Sequence, residues 1–175
     1  YSMNLRQVDL RGTKSFNQIL TRLNKWNENK EVKWILGRGW DQNDWTQKEF
    51  PTNEKLNELF PNIPVFLRRV DGHAAIVNAK ALEIAGIDAN TNVKGGEVII
   101  NNGKPTGILV DNAMELVLKH VREPVLSEKL KFLNQGAKNC YAVGLTTVAD
   151  AGLPHSDIQL LDSLQRNGAL KMQVY

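Results

Sequence analysis

Cysteine and histidine are scarce in this chain: 175 residues hold one cysteine, Cys140, and three histidines, His73, His120 and His155. A lone cysteine excludes an internal disulfide and any paired-cysteine zinc motif, so the fold must rest on its core. The histidines stand too far apart for H-x-H or H-E-x-x-H, the local spacings with which hydrolytic metal centres are usually built. A G-x-S-x-G elbow, a P-loop and a G-x-G-x-x-G are also missing, and the nearest glycine cluster, Gly37 to Gly39, lacks the rest of any phosphate motif. No apolar run nears the roughly 18 to 20 residues of a membrane span, and the first residues lack the build of a signal peptide. The chain therefore reads as soluble, with no membrane partner, and the expected location is the cytoplasm. Charge of one sign is missing too: 22 Lys and Arg are scattered among 19 Asp and Glu, net +3, without a run or stripe. Nucleic-acid binding is not expected from that distribution.

What is present is a globular composition, 42% hydrophobic and 23% charged, enough for one domain or one large fragment. The opening YSMNLRQVDLRG looks like a segment already inside a fold and the closing KMQVY looks like a strand, so both ends suggest an excised piece. Ser15 and Gln18 form an S-x-x-Q capping box for a helix to about Glu28, with Phe16, Ile19, Leu20, Leu23 and Trp26 at helical spacing. Val32 to Gly37 reads as a buried strand that empties into the loop RGWDQNDW. Trp40, Asp41, Asp44 and Trp45 are candidates there for lining a pocket, although indole rings more often close a core. Thr52 is the expected N-cap of a short helix carrying Leu56, Leu59 and Phe60.

The stretch PVFLRRVDGHAAIVN, residues 64–78, reads as a strand whose C-terminal end opens into Asp71-Gly72-His73. A carboxylate and an imidazole at that end lie where open α/β sheets place ligands; the competing reading is a plain surface turn. Asn78 should cap the next helix and Gly86 should end it. Two apolar runs around Asn-Asn-Gly-Lys-Pro predict a hairpin, Glu97–Ile100 against Gly107–Val110, closed by Asp111. A helix from Asn112 to Pro124 follows, with His120 in its last turn and no chemistry assigned to it. Ser127 should cap a longer helix that makes Cys140 a core residue. Then come the strand Leu145–Ala149, Asp150 directly after it, and a helix from about Asp157 to Arg166. Asp150 stands where βα proteins put functional groups, but a turn or capping role fits equally, and His155 reads as a loop residue. Helix and strand alternate, the signature of parallel βα units.

The succession VDLRG, GRGWDQNDW, FPT, PVFLRRVDGHAAIVNAKALEIAGI, GGEVI, GKPTGILVDNAMELV and GLTTVADAG resembles the amidohydrolase-3 group of metal-dependent hydrolases, which includes N-substituted formamide deformylase. Each motif is weak alone; the ordered set is specific. The resemblance implies an α/β fold: part of a (β/α)8 barrel, contributed as early βα units, plus an α/β insertion with a β-hairpin. It implies 1–31 as a barrel-associated helix region, 32–112 as an inserted lid-like region, and 113–175 as partial barrel. It also implies a divalent metal, zinc, in the full-length family, activating water for attack on an amide or formamide-like C–N bond of a small-molecule substrate. The family's metal ligands lie before and after the segments matched here, so this stretch is expected to hold no metal and to be inactive alone. Trp40, Asp41, Asp71, His73, Asp111 and Asp150 match motif positions near the family's site and are carried over as substrate-binding candidates. Exposed strand edges in a partial barrel predict self-association. The alternative is a non-catalytic small-molecule or protein-binding module with the same fold.

Overall fold

β1 (Val8–Asp9), α1 (Phe16–Asn27), β2 (Ile35–Trp40), α2 (Glu54–Leu59) and β3 (Val65–Arg69) follow one another in the computed structural model, which describes residues 2–28 and 32–175. The boundary expected at residue 31 falls outside the described residues. Ser15 caps α1 as the sequence predicts, its Oγ accepting the Gln18 N–H at 3.3 Å, while Gln18 reaches back to the N–H of Lys14. Ile19, Leu20 and Leu23 form the buried stripe of α1. β2 runs later than expected, through Gly37, Arg38 and Gly39 to Trp40. Gly37 makes this possible, since a Cβ there would meet Leu10 and Leu67 at 2.9 Å, and Gly39 carries a bulge at φ +107. Asn53, not Thr52, stands at the N-cap of α2, and its backbone N–H is held by Thr106 O at 2.9 Å.

After β3 the chain turns straight back as β4 (Ala74–Val77), antiparallel to β3. The sequence reading missed this strand because Ala-Ala-Ile-Val carries two weak strand formers; burial between two neighbouring strands decides its state. Asn78 then caps α3 (Ala79–Ala85), which ends at Gly86 with φ +66. The hairpin forms as β5 (Gly96–Asn101) and β6 (Lys104–Asp111), longer than predicted, with Asn102 and Gly103 both at positive φ in its turn. The helix expected from Asn112 is a 3-10 turn, Asn112–Met114, and a single α turn, α4 (Glu115–Leu118), which the Lys119 to Val121 amides close with short-range bonds.

These strands form one sheet in the order β1-β2-β3-β4-β6-β5, parallel through β3 and antiparallel beyond it. Alternate side chains feed two cores. Val65, Leu67, Ile76 and Ile108 meet Ile19, Leu23 and Leu56 on one face. On the other, Phe66, Val77 and Leu109 meet Leu82, Met114 and Val117. A helix layer on each face explains why β3 and β4 read as near-continuous apolar runs rather than as alternation.

Gln7–Glu123 make up this sheet unit; Tyr1–Arg6 and Pro124–Tyr175 make up a second, helical unit. β1 and α1 thus fold with β2 and β3. The helical unit comprises a 3-10 turn, Ser2–Arg6, then α5 (Leu126–Ala142), β7 (Thr147–Val148), α6 (His155–Arg166) and β8 (Gln173–Val174), with β7 and β8 parallel. α5 begins one residue before Ser127, because the Glu128 carboxylate accepts the N–H of Val125 at 2.9 Å. α6 begins at His155, so this residue opens a helix instead of sitting in a loop; Pro154 stands at the N-cap, and its carbonyl accepts the N–H groups of Asp157 and Ile158 at 2.9 and 3.1 Å. Among the described residues no helix is long and apolar enough to cross a membrane.

Candidate functional site at the carboxyl edge of the sheet

Parallel β1 to β3 all end at one edge of the sheet. Because β4 is antiparallel to β3 and β6 to β4, the start of β4 and the end of β6 arrive at the same edge. Topology therefore collects Asp9, Asp41, Asp71, His73 and Asp111 there, from segments up to a hundred residues apart in sequence. In open α/β sheets this edge is where ligands bind.

Asp71-Gly72-His73 is the turn of the β3–β4 hairpin, with Gly72 at φ +84, which matches the competing reading of a surface turn and not the mouth of a strand–loop–helix unit. Arg69, two residues before Asp71, grips it in a fork: Nε to Oδ1 at 2.9 Å and Nη2 to Oδ2 at 2.7 Å. Asp71 Oδ1 also accepts the backbone N–H of His73 at 3.1 Å. The guanidinium hydrogen bonds chiefly hold the Asp71 carboxyl below its ordinary range, and the same bonds raise Arg69, helped by attraction from Asp41 and Asp111. Arg69 thus sits among three carboxylates, with its guanidinium 5.5 Å over the ring of Phe50. Asp41 turns its Oδ1 to the backbone and side-chain amides of Asn43, both at 2.9 Å, capping the 3-10 turn Gln42–Asp44.

His73 Nδ1 lies 2.9 Å from Asp111 Oδ1, and the Asp111 N–H donates to His73 O at 3.0 Å. An ionised carboxylate only accepts, so Nδ1 carries the proton and Nε2 is the nitrogen left for another partner. The two side chains are 71% and 49% exposed, so a ligand can reach them. Asp111 adopts φ 47, ψ −122, a region that non-glycine residues rarely occupy. Gly96 faces it across the sheet, and a Cβ on Gly96 would collide with the Ala113 and Asn112 amides, so the chain can double back here only over a glycine.

Asp41, Asp71, His73 and Asp111 are therefore brought together. Trp40 is not: it is fully buried, its Nε1 donates to Leu67 O at 2.8 Å, and its ring stacks on Trp45 at 5.9 Å. Its place is in the core. Asp150 belongs to the helical unit, where its Oδ1 accepts the Gly152 N–H at 2.9 Å in a turn and its side chain borders a cavity of about 520 Å³ between α5, α6 and the short strands. Sequence reasoning missed Arg69 as the organising cation. The signal was available, since residues two apart at a strand end point the same way and R-x-D is a fork in waiting.

The edge does not suit a divalent metal. Among the described residues no three of His, Cys, Asp and Glu gather where they could hold one. Beside His73, Asp111 already bonds the ring through Oδ1, and both Asp71 oxygens are taken by Arg69. What the arrangement can do is bind a polar group: an oriented imidazole beside an arginine-centred cluster offers hydrogen bonds at an accessible rim.

A model described as the amidohydrolase family matches residues 1–175. Protein LONG AFTER FAR-RED 3 of Arabidopsis thaliana is 39% identical over 86% of the chain, which covers 26% of that protein. N-substituted formamide deformylase of Arthrobacter pascens is 33% identical over 68% of the chain, covering 23% of its length. A crystal structure of an uncharacterized metal-dependent hydrolase from Pyrococcus horikoshii OT3 superposes with a TM-score of 0.66 at 27% identity, over 99% of this chain and 33% of that one. The chain thus spans about a quarter of the length of these two curated relatives.

Proposed function

The chain belongs to the amidohydrolase family, and from that membership we propose that it forms part of a longer metal-dependent hydrolase that cleaves an amide or formamide-like C–N bond of a small molecule. The helical unit contributes early βα units of a (β/α)8 barrel; the parallel pairing of β7 and β8 with α5 and α6 between and beside them supports this. Residues 32–112, which lie within the sheet unit, are the insertion, and they select substrate. The metal that activates water is held by residues outside this chain, and residues 1–175 alone do not turn over.

One observation carries the reading of the site: the 2.9 Å pairing of His73 Nδ1 with Asp111 at the carboxyl edge. Asp111 fixes the ring and its tautomer, leaving Nε2 to meet a carbonyl or carboxylate of the substrate. Arg69 fixes Asp71, and Asp71 in turn holds the backbone of the turn that presents His73.

His73→Ala in the full-length enzyme tests it. The expected outcome is a raised KM or a depressed kcat with a melting temperature within about 1 °C of the parent, because an exposed side chain contributes little stability. A sharp fall in melting temperature with intact kinetics in the folded fraction would make His73 a purely structural residue.

A further inference from the structure

Arg38 and Arg68 are direct partners on β2 and β3, so their side chains leave one face of the sheet from strands about 4.8 Å apart. The charge of Arg38 reaches Arg68 and opposes it, and among the described residues no carboxylate is hydrogen-bonded between the two. Asp9 is in the same cross-sheet row, opposite Arg38, but both its oxygens are taken by Arg11, Nε to Oδ1 at 2.9 Å and Nη2 to Oδ2 at 2.7 Å. Glu115 attracts Arg68 from α4 without hydrogen bonding to it. On the far side of Arg68 the row continues with Ala75, which offers nothing polar. The guanidinium of Arg68 lies 5.9 Å above the Phe66 ring, half-buried, and its Nε is shut away from solvent without any acceptor. Burial chiefly, and Arg38 next, lower the Arg68 pKa.

A buried N–H left unmade is costly, and a forked donor beside a second fork matches a planar oxyanion. We propose that Arg38 and Arg68 form a seat for the carboxylate of a small molecule, bound in the plane of the Arg68 fork with Arg38 closing over it from the solvent side. The exposure of Arg38 leaves the seat open to a carboxylate arriving from solvent. This seat uses none of the residues of the His73 cluster and stands independently of their role.

The test is isothermal titration of succinate into the full-length protein at fixed ionic strength, with chloride and inorganic phosphate as comparison anions. Succinate should bind saturably, and Arg38→Gln and Arg68→Lys should each weaken it at least tenfold, the latter because an ammonium offers no fork. Arg38→Gln, at an exposed position, should also raise the melting temperature of the ligand-free protein by removing the like-charge contact. Heat that scales only with ionic strength, phosphate bound in preference to succinate, or succinate binding that persists in both variants, as it would at a metal, each overturns the proposal. So does a lower melting temperature in Arg38→Gln, which would mean that an acidic side chain of the protein itself already occupies the pair.

Discussion

The two units are written in the same alternation of strand and helix, but they finish differently. In the sheet unit six strands hydrogen-bond into one sheet, and helices cover both faces; Leu67, Ile76, Ile108 and Leu109 are wholly buried. In the helical unit two strands of two residues each face two long helices, and its buried core is Ala137, Leu161, Leu170 and Met172. Val125, Leu126, Val143, Ile158 and Tyr175 are left exposed there, Val143 at 72% and Tyr175 at 76%. The difference teaches that βα alternation is only half an instruction. A mixed sheet ends itself by turning antiparallel, as β4, β6 and β5 do, whereas a run of parallel units keeps asking for the next one.

Hydrogen exchange on the 175-residue chain gives the largest expected contrast. Amides of β2, β3, β4 and β6 should outlast those of α5, α6 and β7 by on the order of 100-fold, about 3 kcal/mol of opening free energy. Equal protection in both units would break the comparison, because it would mean that they open as one cooperative body.

Asn78 should show what a finished core costs to disturb. Fully buried, it accepts from Val65 N at 2.9 Å and Ala81 N at 3.1 Å, and donates to Phe60 O at 2.8 Å and Ile63 O at 2.9 Å. One side chain thereby satisfies the start of β3, the start of α3 and the exit of α2. Asn78→Ala strands several of these groups in a dry interior and should lower stability by about 3 kcal/mol, read as the shift of the urea midpoint. A loss below about 1 kcal/mol would show that water reaches the site and that the unit is less closed than its burial suggests.

How far the sequence could be read follows from the same physics. α1, the Asn78 cap, the Gly86 stop and the Asn-Gly hairpin turn are local devices, and each is legible within four residues. β4 was not, because Ala74 and Ala75 become strand only through neighbours brought in from elsewhere in the chain. The site shows the same divide. Asp71 and His73 are visible as a turn with titratable groups. That Asp111 would bond His73 depends on sheet order, which no local window carries, whereas the buried place of Trp40 is the commoner fate of an indole ring and was open to a sequence reading.

The smallest predicted effect bears on whether the edge of the sheet unit is merely the end of a stable body or a place where stability has been given up for geometry. Asp111 holds φ 47, ψ −122 beside a glycine-only approach at Gly96. For a residue with a Cβ such backbone costs on the order of 1 to 3 kcal/mol. Its exposed pairing with His73 returns no more than about 1 kcal/mol. Replacing Asp111 by Gly removes both the strain and the pair; replacing it by Ala removes only the pair. Glycine in place of alanine ordinarily destabilises folded backbone by roughly 0.5 to 1 kcal/mol. Here the order should invert, with Asp111→Gly about 1 kcal/mol more stable than Asp111→Ala by urea denaturation, while both variants lose the ring orientation that His73 needs. If alanine proves the more stable, the backbone at 111 is unstrained, and the carboxylate stands beside His73 without having been put there at a cost.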